Sequence, residues 1–195
     1  MKMNVPNQLT IVRIILTPIF LALFLAPIPH HYLIGLAVFA IGAITDFLDG
    51  KIARKNNIVT VFGQLADPVA DKILTTAALL AFMSMGLCNI WIVMLVLTRE
   101  FAIASVRMIA AAGGVVIPAN IWGKIKTVSQ MTFTILIMLL GETWEIIANN
   151  NKELFEKLPD FSLISNGLLW ITAILTVISG VIYLNDSKKI IDFTK

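Results

Sequence analysis

Apolar residues fill this chain in six long blocks, and most polar positions fall between the blocks or bunch at two places inside them. The first block runs from about Leu9 to Ala26 and is stopped by Pro27-Ile28-Pro29. The second covers about Tyr32 to Ala53, apolar up to Thr45 and charged thereafter. The third starts near Val61 and reaches about Leu87; the fourth spans about Ile90 to Ala112 and closes at Gly113-Gly114. The fifth runs from about Trp122 to Gly141 and the sixth from about Leu163 to Leu184. A hydrocarbon core about 30 Å thick needs about 20 helical residues, so each block is long enough to cross it. The pattern predicts an all-α, polytopic membrane protein of one domain, residues 1–195, with about six transmembrane helices. One polar connection interrupts it, from Glu142 to Phe161. There Ile146, Ile147, Leu154, Phe155 and Leu158 recur at near-helical spacing, predicting a helix lying on the outer membrane surface.

Composition agrees with this reading. The chain is 58% hydrophobic and 14% charged, against roughly 25% charged in an ordinary soluble domain. An even number of spans puts both termini on one side. That side, with the 2–3 and 4–5 loops, collects Lys2, Arg13, Lys51, Arg54, Lys55, Lys124, Lys126, Lys188, Lys189 and Lys195. The other side has Lys152 and Lys157. Ten against two predicts that both termini face the cytoplasm across the cell membrane. Arg13 interrupts the first apolar run too early for a cleavable signal peptide, so the first helix is expected to stay. A net charge of +3 suggests no nucleic-acid partner, and the single cysteine, Cys88, excludes a disulfide framework or a cysteine metal cluster. His30 and His31 fall in a short outer loop and are expected to be plain interfacial residues.

Candidate chemistry concentrates in one stretch. Asp46, Asp49, Asp67 and Asp71 lie in otherwise apolar sequence, where a carboxylate costs several kcal/mol and usually serves function. On a helix, Asp46 and Asp49 lie about 60° apart, and Asp67 and Asp71 about 40° apart, so each pair shares a face. The second helix runs toward the cytoplasm and the third runs back, which predicts one pocket near the cytoplasmic surface. Repulsion among four carboxylates is relieved by protonation, by basic partners or by metal. Lys51, Arg54, Lys55 and Lys72 are near in sequence, but Lys51 and Lys55 are expected to point into the cytosol. An all-oxygen set favours a hard ion, Mg²⁺ or Mn²⁺, of the kind that carries phosphate substrates. Gly50 and Gly63 flank the acids, as helix-packing residues or as room for a nucleotide or sugar. Pro68 predicts either a kink in the third helix or its start.

Asp46-x-x-Asp49-Gly50-x-x-Ala53-Arg54, eight residues, then Gly63-x-x-x-Asp67-x-x-x-Asp71 resembles the defining motif of the CDP-alcohol phosphotransferase family. The resemblance implies six transmembrane helices, a homodimer, and an active site at the cytoplasmic ends of helices 2 and 3. It implies that Asp46, Asp49, Asp67 and Asp71 ligate one or two metal ions holding the CDP pyrophosphate. Gly50, Ala53, Arg54 and Gly63 would line the cytidine side, with Asp71 also the general base.

The acceptor is suggested by a second group of cations. Arg99 and Arg107 lie in the fourth helix, and Lys124 and Lys126 at the cytoplasmic mouth of the fifth. Facing a metal pocket, such a cluster suits an acceptor that bears its own phosphate. Alternatively, Arg107 could pair with Glu100 or snorkel, Glu100 could be a purely structural partner of Arg99, and Lys124 and Lys126 could be a solvated, topology-setting loop. Pro6-Asn7-x-Leu9-Thr10-x-x-Arg13, Thr98-Arg99-Glu100 and Gly123-Lys124-x-Lys126-Thr127-x-x-Gln130 resemble the branch of the family that uses glycerol phosphate. This implies CDP-diacylglycerol as donor, sn-glycerol 3-phosphate as acceptor, and phosphatidylglycerophosphate and CMP as products. Inositol phosphate or serine would be the acceptor in other branches. An intramembrane prenyltransferase would need more helices, and a cation transporter would place its carboxylates along the membrane depth rather than at one end.

Overall fold

The computed structural model describes the backbone of residues 5–56, 61–113, 117–118 and 120–188, with side chains except at 5–6, 47–56, 61–68, 71, 112 and 188. Seven helices follow in order, and no strand occurs among the described residues. They are α1 (Val5–Leu25), α2 (His31–Asn56), α3 (Val61–Ser84), α4 (Ile90–Ala112), α5 (Ile121–Asn150), α6 (Lys152–Lys157) and α7 (Phe161–Lys188). Segments Asn7–Leu25, Ile121–Asn150 and Phe161–Ser187 are long and apolar enough to cross a membrane. Helices α2, α3 and α4 have 26, 24 and 23 residues but carry the charges already noted.

The burial pattern is that of a protein whose solvent is lipid. On α7, Ser165, Thr172, Thr176, Ser179 and Ser187 are buried, whereas Leu163, Ile171, Ile174, Val177, Val181 and Leu184 are exposed. On α1, Thr10, Arg13 and Thr17 share the buried stripe with Phe20 and Phe24. In water that arrangement would leave apolar area unburied. In a bilayer it is favourable, because hydroxyls satisfy one another or backbone carbonyls inside while aliphatic side chains face acyl chains. The Thr17, Thr176 and Ser187 hydroxyls each donate to the carbonyl four residues back, at 3.0, 2.7 and 2.7 Å.

The chain forms two compact units. The first takes Met1–Phe82 and Ile135–Leu158. Its core is aromatic: Phe24 lies 5.4 Å from Phe20, 5.4 Å from Tyr32 and 5.7 Å from Phe82, ring centre to ring centre. Two glycines make room for it. A side chain at Gly35 would collide with Phe24, and one at Gly141 with Tyr32. The second unit takes Met83–Thr134 and Pro159–Lys195, where α4 packs against α7. There Ile103 and Val106 pack with Tyr183 and Ile117.

Three expectations are modified. First, α5 continues nine residues past Gly141 to Asn150, so the predicted surface helix divides between the end of α5 and the one-and-a-half-turn α6. The helix can continue because Glu142, 3% exposed, is compensated: it accepts from His30 Nδ1 at 2.5 Å and from the Leu33 amide at 3.3 Å. His30 and His31 are therefore bound rather than merely interfacial; His31 Nδ1 donates to the Phe24 carbonyl at 2.7 Å. Second, α3 begins at Val61, so Pro68 lies within the helix and does not start it. Third, Arg13 and Lys126 are buried, which removes them from the loop cations and leaves eight against two, with the bias unchanged in sign.

Candidate functional site

The aspartate motif is carried by the C-terminal half of α2 and the N-terminal half of α3, in the first unit. Asp46 and Asp49 share a face of α2, and Asp67 and Asp71 a face of α3. The side chains of Asp49, Gly50, Ala53, Arg54, Gly63, Asp67 and Asp71 lie outside the described residues. Asp46 is described, and its surroundings are informative. Arg13 Nη1 of α1 donates to Asp46 Oδ1 at 2.8 Å. The arginine side chain is 1% exposed and the aspartate side chain 45% exposed.

A sealed guanidinium costs several kcal/mol unless it meets a counter-charge. Asp46 supplies one, and Arg13 in turn fixes the orientation of that carboxylate. Because Asp46 stays open, it can still offer an oxygen to a cation. Asp46 is the one of the four aspartates whose side chain is described, and a carboxylate oxygen is the donor type a hard ion prefers. Sequence reasoning had looked to Lys51, Arg54, Lys55 and Lys72 for relief of the acidic charge and had missed Arg13. The signal was present: Thr10, Arg13, Thr17, Phe20 and Phe24 recur at helical spacing on one face of α1.

The second group of cations belongs to the other unit. Arg99 and Lys126 are brought together by Glu100, whose Oε1 accepts from Lys126 Nζ at 2.5 Å and from Arg99 Nη1 at 3.1 Å. Lys126 is buried at 2%, so it is no solvated loop residue. Arg99 lies between two glycines. A Cβ at Gly123 of α5 would stand 3.3 Å from its Nη2, and one at Gly180 of α7 would stand 3.2 Å from its Cγ. Its buried Nε–H has no acceptor among the described residues.

Arg107 is not part of that cluster. It stands two turns further along α4, where its Nε donates to the Tyr183 hydroxyl at 3.2 Å and its guanidinium lies 5.4 Å from the ring centre. Its partner is thus Tyr183, not Glu100. Lys124 is exposed on α5. Positions two apart on a helix point to opposite sides, so Lys124 and Lys126 do not share a face. Of the four predicted cations, two converge and two stand apart.

Comparison with known proteins agrees with the motif. Residues 3–178 match the family model described as CDP-alcohol phosphatidyltransferase. Three relatives bear the name CDP-diacylglycerol–glycerol-3-phosphate 3-phosphatidyltransferase. The Bacillus subtilis protein is 36% identical over 189 residues, covering 91% of each chain. The Haemophilus influenzae protein is 37% identical over 193 residues, covering 96% of this chain and 95% of its own. The Rickettsia bellii protein is 35% identical over 186 residues, covering 95% and 96%. With a motif complete in all eight positions and a match extending over most of its length, this chain belongs to the CDP-alcohol phosphatidyltransferase family.

Proposed function

We propose that this protein transfers the phosphatidyl group of CDP-diacylglycerol to sn-glycerol 3-phosphate, giving phosphatidylglycerophosphate and CMP. The observation that carries the reading is the complete aspartate motif on α2 and α3, in a chain whose full-length relatives bear the name of that reaction. In this topology six helices span the cell membrane, with both termini and the active site cytoplasmic, in agreement with the distribution of basic residues. The family resemblance supports a homodimer.

Asp46, Asp49, Asp67 and Asp71 would hold one or two Mg²⁺ or Mn²⁺ ions, which supply charge neutralisation at the pyrophosphate and at the departing CMP. Arg13 fixes Asp46 from below. Gly50, Ala53, Arg54 and Gly63 line the cytidine side of the donor. Asp71 takes the proton of the acceptor hydroxyl as its oxygen bonds to the β-phosphorus; the bond from that phosphorus to the bridging oxygen breaks, and CMP leaves. A carboxylate is a weak base near pH 7, so alignment of the reacting groups supplies most of the acceleration. Arg99 and Lys126 bind the acceptor phosphate, while Arg107 and Lys124 contribute positive field around it.

The test is purified protein with CDP-diacylglycerol, Mg²⁺ or Mn²⁺, and glycerol 3-phosphate, serine or inositol phosphate in turn. CMP release with glycerol 3-phosphate is expected. Release with serine alone would reassign the acceptor, and no release with any acceptor would overturn the enzyme reading.

A further inference from the structure

A partly buried carboxylate beside the proposed phosphate-binding cations is at first sight misplaced, since it repels the ligand they attract. Glu100 nonetheless sits between Arg99 and Lys126 and touches both with one oxygen. We propose that Glu100 is a positioning residue for the acceptor, holding the Lys126 ammonium and the Arg99 guanidinium at the separation that a phosphate monoester bridges. This rests on the acceptor site proposed above.

Three features support it. Lysine is a point charge on a flexible four-carbon stem, yet Lys126 is 2% exposed and its ammonium is tied to Glu100 at 2.5 Å. Without a counter-charge it would lose its proton or swing to the surface. Arg99 runs close to the backbone at both ends, its Cγ beside Gly180 and its Nη2 beside Gly123, so its head has little room to follow Lys126. Finally, two cations share one acid. Among the described residues the Nε–H of Arg99 has no acceptor, so a donor remains on the guanidinium that Glu100 already holds. Glu100 thus gives up some attraction in exchange for two donors fixed before the acceptor arrives, which is the condition for tight and oriented binding.

Steady-state kinetics in detergent or proteoliposomes separate this from a structural role. Glu100→Gln is expected to raise KM for glycerol 3-phosphate about tenfold, while kcat and the KM for CDP-diacylglycerol stay within about twofold. A lower acceptor KM would mean that Glu100 merely repels the phosphate, and equal loss toward donor and acceptor would mean general structural damage; either overturns the proposal. Lys126→Gln should raise the same KM, and adding Glu100→Gln to it should raise it little further. Fully multiplicative effects would show that Glu100 does not act through Lys126. If Lys126→Gln and Arg99→Gln both leave acceptor KM unchanged, the site assignment falls and this role falls with it. If those two variants raise it and Glu100→Gln does not, the role alone falls. Should Glu100→Gln fail to accumulate in membranes, Glu100→Asp carries the test. Its shorter reach cannot hold both cations, so a threefold rise, approximately, is expected, and a wild-type KM in folded protein overturns the role.

Discussion

Arg13 and Arg99 are both arginines largely withdrawn into apolar helices, and each meets a carboxylate, yet the two sites differ in which partner stays exposed. At Arg13 the cation is sealed, 1% exposed, and its acid stays open at 45%. At Arg99 both partners are withdrawn, 13% and 19% exposed, and a second cation, Lys126, is added at 3%. The first arrangement presents an oriented carboxylate oxygen to whatever positive group arrives. The second gathers two cations on one carboxylate oxygen and keeps, among the described residues, an Arg99 Nε–H without an acceptor. Residue type alone does not set the polarity of a membrane site. The partner left exposed and the imbalance of charge do.

The largest effect should come from the acidic side. Asp71→Asn is expected to lower kcat by about 10³-fold or more, with CDP-diacylglycerol binding still measurable. Near-normal CMP release would remove Asp71 from its role as base. Next, Arg13→Gln should reduce activity roughly 10- to 100-fold, the usual loss when the group that orients a ligating side chain is removed. Part of that loss should be recovered at higher Mn²⁺ concentration. Wild-type activity at ordinary metal concentration would show that Asp46 needs no support from below. A change that touches neither pair should leave both functions intact. Gly141→Ala drives a methyl into the Tyr32 ring and should cost about 1–3 kcal/mol of stability, seen as a lower thermal midpoint in detergent with both KM values unchanged.

The smallest effect is expected at the α1–α2 connection of the first unit. The hydrogen bond to Glu142 raises the pKa of His30 above its ordinary 6.5. The stabilisation from this pair is therefore complete below about 6.5 and disappears as pH rises through the raised value. Wild type should lose thermal stability as pH rises above 6.5 relative to His30→Gln, which lacks this contribution. Parallel curves for the two proteins would show the pair to be thermodynamically silent.

The helices and the aspartate pairs were legible because each rests on local rules: length of an apolar run, and spacing on one helix. What escaped was the buried polar side of each helix. Arg13 was counted as a loop cation because it lies near a terminus, although its register with Thr10, Thr17 and Phe20 marked it as inward-facing. Lys124 and Lys126 were grouped because they are close in sequence, although two residues of helix turn them apart. Glu142 was assigned to a surface connection, and only His30 and the Leu33 amide, 112 and 109 residues earlier, explain why it is buried. Such partners are set by packing between distant segments, which no window along the chain contains.

The pairing of α4 with α7 bears on how the protein is made. Arg107 finds Tyr183 across 76 residues of chain, and Arg99 lies against Gly180 of the same late helix. A ribosome therefore delivers the arginines of α4 to the insertion machinery well before the surface that receives them exists. Each such side chain costs on the order of 3 kcal/mol at the centre of a lone helix. Biogenesis of the second unit thus has a late closing step: with a cysteine introduced at Ile103, which packs against Tyr183, a nascent chain arrested before Gly180 should still react with water-soluble thiol reagents, and the complete chain should not.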